Sequence, residues 1–242
     1  YASIANGGTY QKPVLYTKVV DHNGNILLSN TQKGKRVMKE STAFLLTDAM
    51  KDVITKGTGK SAKLSSSMAV AGKSGTTSNS YDYWFSGYTP YHTASVWMGY
   101  DKNTNFASDN THKKIWAKVM NEIIKTKQEQ TTDFKKPADI VKAKVCKESG
   151  KLAIKEVCDH DPRGSRVITE YFEKGTVPTQ TCDIHVAVEV CKTSDKLATK
   201  NCPANKKQRK IYIVRKKGSH GKTADTPYML PKKYQSVFCK KH

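Results

Sequence analysis

The sequence predicts an α+β fold: an antiparallel sheet flanked by helices, followed by a small β- and loop-rich tail that holds the cysteines. Three observations predict it. Two segments carry apolar residues at helical spacing. Between them stand short aromatic strands joined by connections too brief for parallel crossovers. Beyond Phe134-Lys135-Lys136-Pro137 long periodic segments stop, and Lys, Thr, Asp and Cys dominate. The chain is accordingly expected to divide into residues 1–134 and a Lys- and Cys-rich extension over residues 135–242.

The elements follow in order. Tyr1 to Tyr10 reads as a helix end stopped by Gly7-Gly8. Asp21-His22-Asn23-Gly24-Asn25 lies between Val14–Val20 and Ile26–Leu28, a strong hairpin signal. A helix is expected from Ser41, a suitable N-cap, to Lys56, with Leu46, Met50, Val53 and Ile54 on its buried stripe and Gly57 ending it. Met68-Ala69-Val70-Ala71 reads as a buried strand that runs into Lys73-Ser74-Gly75-Thr76. Tyr83–Tyr88 and Ala94–Tyr100 are two further strands, whose Trp84, Phe85, Tyr88 and Trp97 are expected to fill the core. A second helix runs from Lys113 to Lys127, with Ile115, Trp116, Val119, Met120, Ile123 and Ile124 forming a broad apolar face.

The tail contains a repeat. Val145-Cys146-Lys147-Glu148-Ser149-Gly150-Lys151-Leu152-Ala153 is echoed by Val190-Cys191-Lys192-Thr193-Ser194-Asp195-Lys196-Leu197-Ala198. Each copy closes on another cysteine, Cys158 or Cys202, which argues for one small unit used twice.

Bulk properties narrow the partners. The chain is 37% hydrophobic, with a mean hydropathy of −0.65 and a formal charge of +21. That fits a globular part with a polar extension. The lysines are spread along the chain, and aromatic residues are not interleaved with basic clusters as stacking on bases requires. No nucleic acid is therefore expected; an anionic cell wall suits the charge. No apolar run is long enough to span a membrane, and Tyr1-Ala2-Ser3-Ile4 is not a signal peptide. The chain reads as a fragment, with any export signal upstream.

Lys73-Ser74-Gly75-Thr76 carries the chemistry. An acyl-transfer site needs a cation and hydroxyls for a substrate carboxylate, and a backbone N–H aimed at the oxyanion. A strand bearing these residues supplies all of them, and Gly75 lets a substrate lie close to the backbone. Lys-Thr-Gly is the third motif of serine β-lactamases and penicillin-binding enzymes; Ser74 in the middle keeps the hydroxyl.

The surrounding blocks make the match specific. Tyr1–Gly8, Gly57-Thr58-Gly59-Lys60-Ser61-Ala62, Ala71–Thr77, and Asp82–Pro90 with Val96-Trp97-Met98-Gly99-Tyr100-Asp101 stand in one order. In that order they resemble the class A penicillin-binding proteins over about the first 125 residues. Tyr171–Thr179 resembles extensions on Gram-positive members. The resemblance implies the distal half of a serine transpeptidase/β-lactamase-like fold. It implies a D,D-transpeptidase or carboxypeptidase that joins peptidoglycan stem peptides through an acyl-serine and is acylated by β-lactams. Lys73 and Thr76 would be its catalytic residues, and Ser74, Gly75, Thr76 and Thr77 would bind substrate, with the Thr76 N–H an oxyanion donor. The parent would carry a glycosyltransferase domain and a membrane anchor upstream and work at the extracellular face of the cell membrane. A wall- or partner-binding module and a β-lactam sensor or β-lactamase-like protein are the alternatives.

No Ser-x-x-Lys is expected in the chain, and Ser78-Asn79 lies on the wrong side of the motif without the Ser-x-Asn spacing. The nucleophile, its lysine and the second motif are expected before Tyr1, and the fragment alone is expected to be inactive. Asp82 is expected to cap a turn or hold Lys73, and His92 and His112 to be solvated. The six cysteines, an even count in an extracellular setting, favour disulfides. The repeat suggests Cys146–Cys158 and Cys191–Cys202, leaving Cys182–Cys239. Cys182-Asp183-Ile184-His185 has a zinc-compatible spacing, but no metal and no cofactor is expected.

Overall fold

A computed structural model describes residues 1–215 and 223–241. They form two compact units, residues 1–140 and 141–242, each with its own core. The first opens with α1 (Ala2–Ala5), β1 (Thr9–Tyr10), β2 (Lys18–Val20), β3 (Ile26–Ser29), β4 (Lys35–Arg36) and α2 (Glu40–Thr55). It continues with β5 (Ala71–Thr76), β6 (Asp82–Tyr88), β7 (Thr93–Gly99) and α3 (Thr111–Thr126). The second holds β8 (Ile140–Cys146, which starts at the end of the first), β9 (Val167–Glu173), β10 (His185–Cys191), β11 (Lys196–Leu197), β12 (Lys207–Ile213) and α4 (Lys233–Ser236).

Gly7 and Gly8 end α1 with positive φ, as expected from the sequence. A Cβ on Gly8 would stand 2.4 Å from the Met38 carbonyl oxygen, so glycine is required there by contact as well as by dihedral. β2 and β3 form the predicted hairpin. The Asp21 carboxylate accepts the N–H of Asn23 and of Asn25 at 2.8 and 2.9 Å across the turn. The helix expected to start after Ser41 begins two positions earlier, at Glu40 with Lys39 outside it. Ser41 is buried within the first turn rather than capping it.

The central sheet is the meander β5-β6-β7, antiparallel throughout. Side chains alternate between its two faces. Phe85 and Val96 point to one face, where Phe85 meets Trp116 of α3 edge-on at 5.2 Å. Trp116 Nε1 donates to the Ala94 carbonyl at 3.0 Å, satisfying the indole in a fully buried place. Ala71 and Tyr88 point to the other face, where Met50 of α2 covers them. The buried Tyr88 hydroxyl is hydrogen-bonded to Thr47 Oγ1 at 2.7 Å.

Alternation also corrects the aromatic expectation. Phe85 and Tyr88 are core, but Trp84 and Trp97 are 45% and 44% exposed. They sit on the Tyr88 face, at the end α2 does not cover. The helix faces are likewise narrower than their apolar residues suggested. Trp116, Ala117, Met120 and Ile124 are buried, whereas Ile115 and Val119 on the flank, and Leu46 on α2, are exposed.

In the second unit β8 pairs with β9, and β10 is the middle strand between β11 and β12. The sequence repeat is a structural repeat, with an offset of 45 positions over residues 145–154. Gly150 N–H donates to the Cys146 carbonyl at 2.8 Å, and Asp195 N–H to the Cys191 carbonyl at 2.8 Å; both turn residues have positive φ. Ile154 N–H points to Cys158 Sγ at 3.3 Å, and Thr199 N–H to Cys202 Sγ at 3.3 Å. The third cysteine of each copy returns in the same way. Cys182 N–H donates to the Leu152 carbonyl and Cys239 N–H to the Leu197 carbonyl, each at 2.8 Å.

This geometry overturns the expected Cys182–Cys239 pair. Cys182 gathers with Cys146 and Cys158, Cys239 with Cys191 and Cys202, and all six are buried free thiols. Cys182 and Cys239 are equivalents, one per copy, so they are not partners.

Candidate functional site

Lys73, Ser74, Gly75 and Thr76 occupy consecutive positions of β5, opposite Ser86, Phe85, Trp84 and Tyr83 of β6. β5 pairs with one strand only, so among the described residues its other long edge meets no strand. The close approach that forms this edge begins at Gly72. A Cβ there would lie 2.7 Å from Phe85 Cζ and 2.9 Å from Gly87 Cα. Gly87, directly opposite, leaves the room that Trp116 fills; a Cβ on it would stand 2.8 Å from the indole. The paired glycines let the sheet sit tightly on α3 just before the motif. At Gly75 the nearest neighbour of an added Cβ is Trp84 Cβ at 3.5 Å, so the space over it is otherwise open.

Lys73 is exposed, and its Nζ donates to the Ser74 carbonyl at 2.8 Å and reaches Ser74 Oγ at 3.5 Å. Ser74 Oγ in turn meets Thr58 Oγ1 at 3.2 Å. The Gly57-Thr58-Gly59 segment thus lies against the motif strand. Thr77 turns away: its hydroxyl donates to Asp82 Oδ2 at 3.1 Å and accepts the Asp82 N–H at 2.9 Å. The other Asp82 oxygen accepts from Trp97 Nε1 at 2.8 Å. Asp82 therefore secures the turn between β5 and β6, the first of its two expected roles. Of the five residues singled out from sequence, four present themselves along the edge, and Thr77 has its hydroxyl engaged in the turn.

Sequence reasoning missed Lys113. It is 7% exposed and donates from Nζ to the Thr58 carbonyl and to Asn110 Oδ1, each at 2.8 Å. A second cation thus stands behind the Thr58 segment. Burial, and then the charge of Lys73, lower the Lys113 pKa from its ordinary value. The signal was present: Lys113 falls on the same stripe as Trp116, Ala117 and Met120, and a lysine on a buried stripe needs partners.

The two histidines also depart from expectation. His112 is buried in the first turn of α3, 5.5 Å from the Tyr83 ring, with Nδ1 3.2 Å from Ser108 Oγ. Burial and then Lys113 lower its pKa, against an opposing pull from Asp109. His92 is paired through Nε2 with Glu129 at 2.6 Å. Neither lies in the motif strand. A Ser-x-x-Lys spacing does occur, at Ser219-His220-Gly221-Lys222, beyond the motif in the chain and outside the described residues. Metal-competent groups are found elsewhere: Cys146, Cys158, Cys182 and His185 form one buried cluster, and Cys191, Cys202 and Cys239 another.

The family comparisons agree with these features. Residues 1–125 match the penicillin binding protein transpeptidase domain, and residues 136–187 match the C-terminal domain of penicillin-binding protein 1A. Penicillin-binding protein 1A of Clostridium botulinum is 36% identical over 237 residues, covering 96% of this chain and 28% of the relative. Penicillin-binding protein 1A of Clostridium novyi is 33% identical, with 96% and 27% covered. Penicillin-binding protein 2D of Bacillus subtilis is 33% identical, with 86% and 30% covered. The chain therefore spans under a third of the length of these curated relatives. The crystal structure of penicillin-binding protein 1A from Haemophilus influenzae shares the fold at a TM-score of 0.57 and 23% identity, over 75% of this chain and 32% of that one. With half its length matched by one family model, the chain belongs to the penicillin binding protein transpeptidase family.

Proposed function

We propose that this chain supplies one wall of a peptidoglycan D,D-transpeptidase site, in which stem peptides are joined through an acyl-serine and β-lactams acylate the same serine. The observation that carries the reading is the open edge of β5 with Lys73, Ser74, Gly75 and Thr76 along it. An extended peptide can pair with such an edge through its main chain. Lys73, backed by Lys113, attracts the terminal carboxylate; Ser74 and Thr76 donate hydroxyl hydrogen bonds; the Thr76 N–H serves the oxyanion. Thr77 acts through the turn it forms with Asp82. Transfer to water instead of an amine would give carboxypeptidase activity at the same site.

The nucleophile is assigned to a segment ahead of Tyr1, so the 242-residue chain by itself is expected not to acylate. Residues 1–134 are assigned to the transpeptidase domain and residues 135–242 to the extension. The parent protein is assigned to the extracellular face of the membrane, anchored upstream and with glycosyltransferase activity there. The net charge of +21 suits a wall-docking role for the extension.

The test is covalent labelling of the native protein by a fluorescent penicillin in the membranes of the cells that make it. Lys73→Ala is expected to slow acylation by on the order of 10²-fold. Labelling of the variant at the parent's rate removes Lys73 from the mechanism.

A further inference from the structure

Nothing in the transpeptidase reading uses the four-membered cluster of soft donors found among the described residues. Cys146 at the end of β8, Cys158 at the start of a 3₁₀ turn (Cys158–His160), Cys182 in a loop, and His185 at the start of β10 are all buried, with their ligand atoms within 4.8 Å of one another. His185 Nδ1 lies 3.4 Å from Cys146 Sγ and 3.3 Å from Cys182 Sγ. Tetrahedral zinc, with Zn–S near 2.3 Å and Zn–N near 2.0 Å, sets sulfur and nitrogen about 3.5 Å apart. The observed separations fit that within a few tenths of an ångström.

The outer groups are built for the same purpose. His185 directs its other nitrogen, Nε2, to Asp161 Oδ2 at 2.6 Å. That contact leaves Nδ1 facing the thiols with its lone pair, the arrangement a metal-bound histidine takes when a carboxylate orients it. Asp161 is itself held by Arg163, which donates from Nε to Oδ1 at 2.9 Å and from Nη2 to Oδ2 at 2.7 Å. The side chains of Asp161 and His185 are both fully buried, so this relay has no role in contacting solvent.

A disulfide accounts for this cluster poorly. It would join two of three thiols and leave the third buried against an imidazole. The duplicated copy repeats the threesome, gathering Cys191, Cys202 and Cys239 through the same backbone contacts. Its sequence also repeats the Cys-x-x-His spacing, as Cys239-Lys240-Lys241-His242, with His242 outside the described residues.

We propose that Cys146, Cys158, Cys182 and His185 bind one structural Zn²⁺ ion. On binding, the three thiols each release a proton and ligate as thiolates, and neutral His185 ligates through Nδ1. The site then carries a net charge of −1, all four positions are filled by protein, and no position is left for substrate. Three thiolates and an imidazole at tetrahedral spacing select zinc over hard cations such as calcium or magnesium. The ion ties β8, the Cys158 and Cys182 loops and β10 into one unit, in a tail that lacks a large hydrophobic core.

The experiment uses the chain purified without added metal, chelator or reductant. Metal analysis by mass spectrometry is expected to find zinc, with His185→Ala and Cys182→Ser each losing one equivalent relative to the parent chain. Asp161→Asn, which keeps all four ligands, is expected to fold and yet weaken zinc affinity by about 10–100-fold in chelator competition. Should the ligand variants fail to fold, Co²⁺ exchanged into the parent chain gives the deciding signal: strong visible absorption from a tetrahedral cobalt thiolate supports the site. A chain free of tightly held zinc, a disulfide between any two of Cys146, Cys158 and Cys182 in unreduced peptide maps, or cobalt spectra without thiolate bands would each overturn it.

Discussion

Lys113 Nζ donates to the Thr58 carbonyl at 2.8 Å, and Thr58 Oγ1 meets Ser74 Oγ at 3.2 Å, so a buried cation on α3 reaches the motif strand through one intervening residue. A charge-assisted hydrogen bond of this kind is worth about 1.5–3 kcal/mol. Lys113→Met keeps the length of the stem and removes the donor. Acylation of the native protein by a fluorescent penicillin is expected to slow by roughly 10-fold, by the loss of one such bond. The second-order rate constant checks this; an unchanged constant would show that the Thr58 segment holds its position without Lys113.

Gly72 and Gly87 make a close approach between β5 and β6. A methyl group on Gly87 meets Trp116 at 2.8 Å and Phe85 at 2.7 Å, both rigid rings in the core. Gly87→Ala is therefore expected to destabilise the first unit by about 1–3 kcal/mol, read as a lower urea midpoint. Gly24→Ala, where no atom lies within 4 Å of the added Cβ but φ is +87°, tests backbone strain alone and is expected to cost less.

His112 should make stability depend on pH in one direction. Its folded pKa lies below the ordinary value of 6.5, chiefly through burial and then through Lys113. The unfolded chain thus takes up the proton more readily than the folded one. The contribution of His112 is fully present above pH 6.5 and is lost as pH falls from there through the lower folded value. Urea midpoints from pH 7.5 down to 5 are expected to fall. His112→Asn should flatten that slope, and a parent-like slope in the variant would move the titration to another group.

Tyr88 and Thr47 share a hydrogen bond in the core. Burial raises the Tyr88 pKa to about 12, with the Thr47 bond pulling the other way. Tyr88→Phe is expected to cost about 1 kcal/mol, because Thr47 keeps its bond to the Ala43 carbonyl at 2.8 Å. Spectroscopic titration of the parent should show a tyrosine that ionises well above the ordinary value of 10, a step that Tyr88→Phe removes.

The three tryptophans offer an optical check on the sheet. Trp116 is fully buried, while Trp84 and Trp97 are nearly half exposed and stand 6.4 Å apart. Acrylamide is expected to quench most of the parent's emission and little of that from a Trp84→Phe/Trp97→Phe chain. Strong quenching of the double variant would contradict the burial of Trp116.

Much of the first unit could be read in its sequence because local rules and tertiary packing agree there. Gly7-Gly8, the Asn23-Gly24 hairpin and the strand leading into Lys73 each took the form their residue types favour. Trp84 and Trp97 were misjudged because hydrophobicity names a residue's preference, whereas alternation along β6 and β7 and the limited reach of α2 decide which face is covered. Lys113 was overlooked because its role depends on a carbonyl 55 positions away, and spacing along a helix does not show that. In the tail the repeat was legible, yet the partners of Cys182 and Cys239 were not. Each returns to its own copy through a single backbone bond, to Leu152 or to Leu197, from a distant part of the chain.

The edge of β5 that meets no strand among the described residues has a consequence for solubility. An unpaired strand edge is a template for any other extended chain, including a second copy of the same protein. On this edge the exposed Lys73 does the work that charged gatekeepers do on other sheets. Two such edges brought together would bury like charges, while a peptide ending in a carboxylate meets the opposite sign. A second copy would meet that ammonium group with one of its own, so an apolar residue at position 73 is expected to favour self-association.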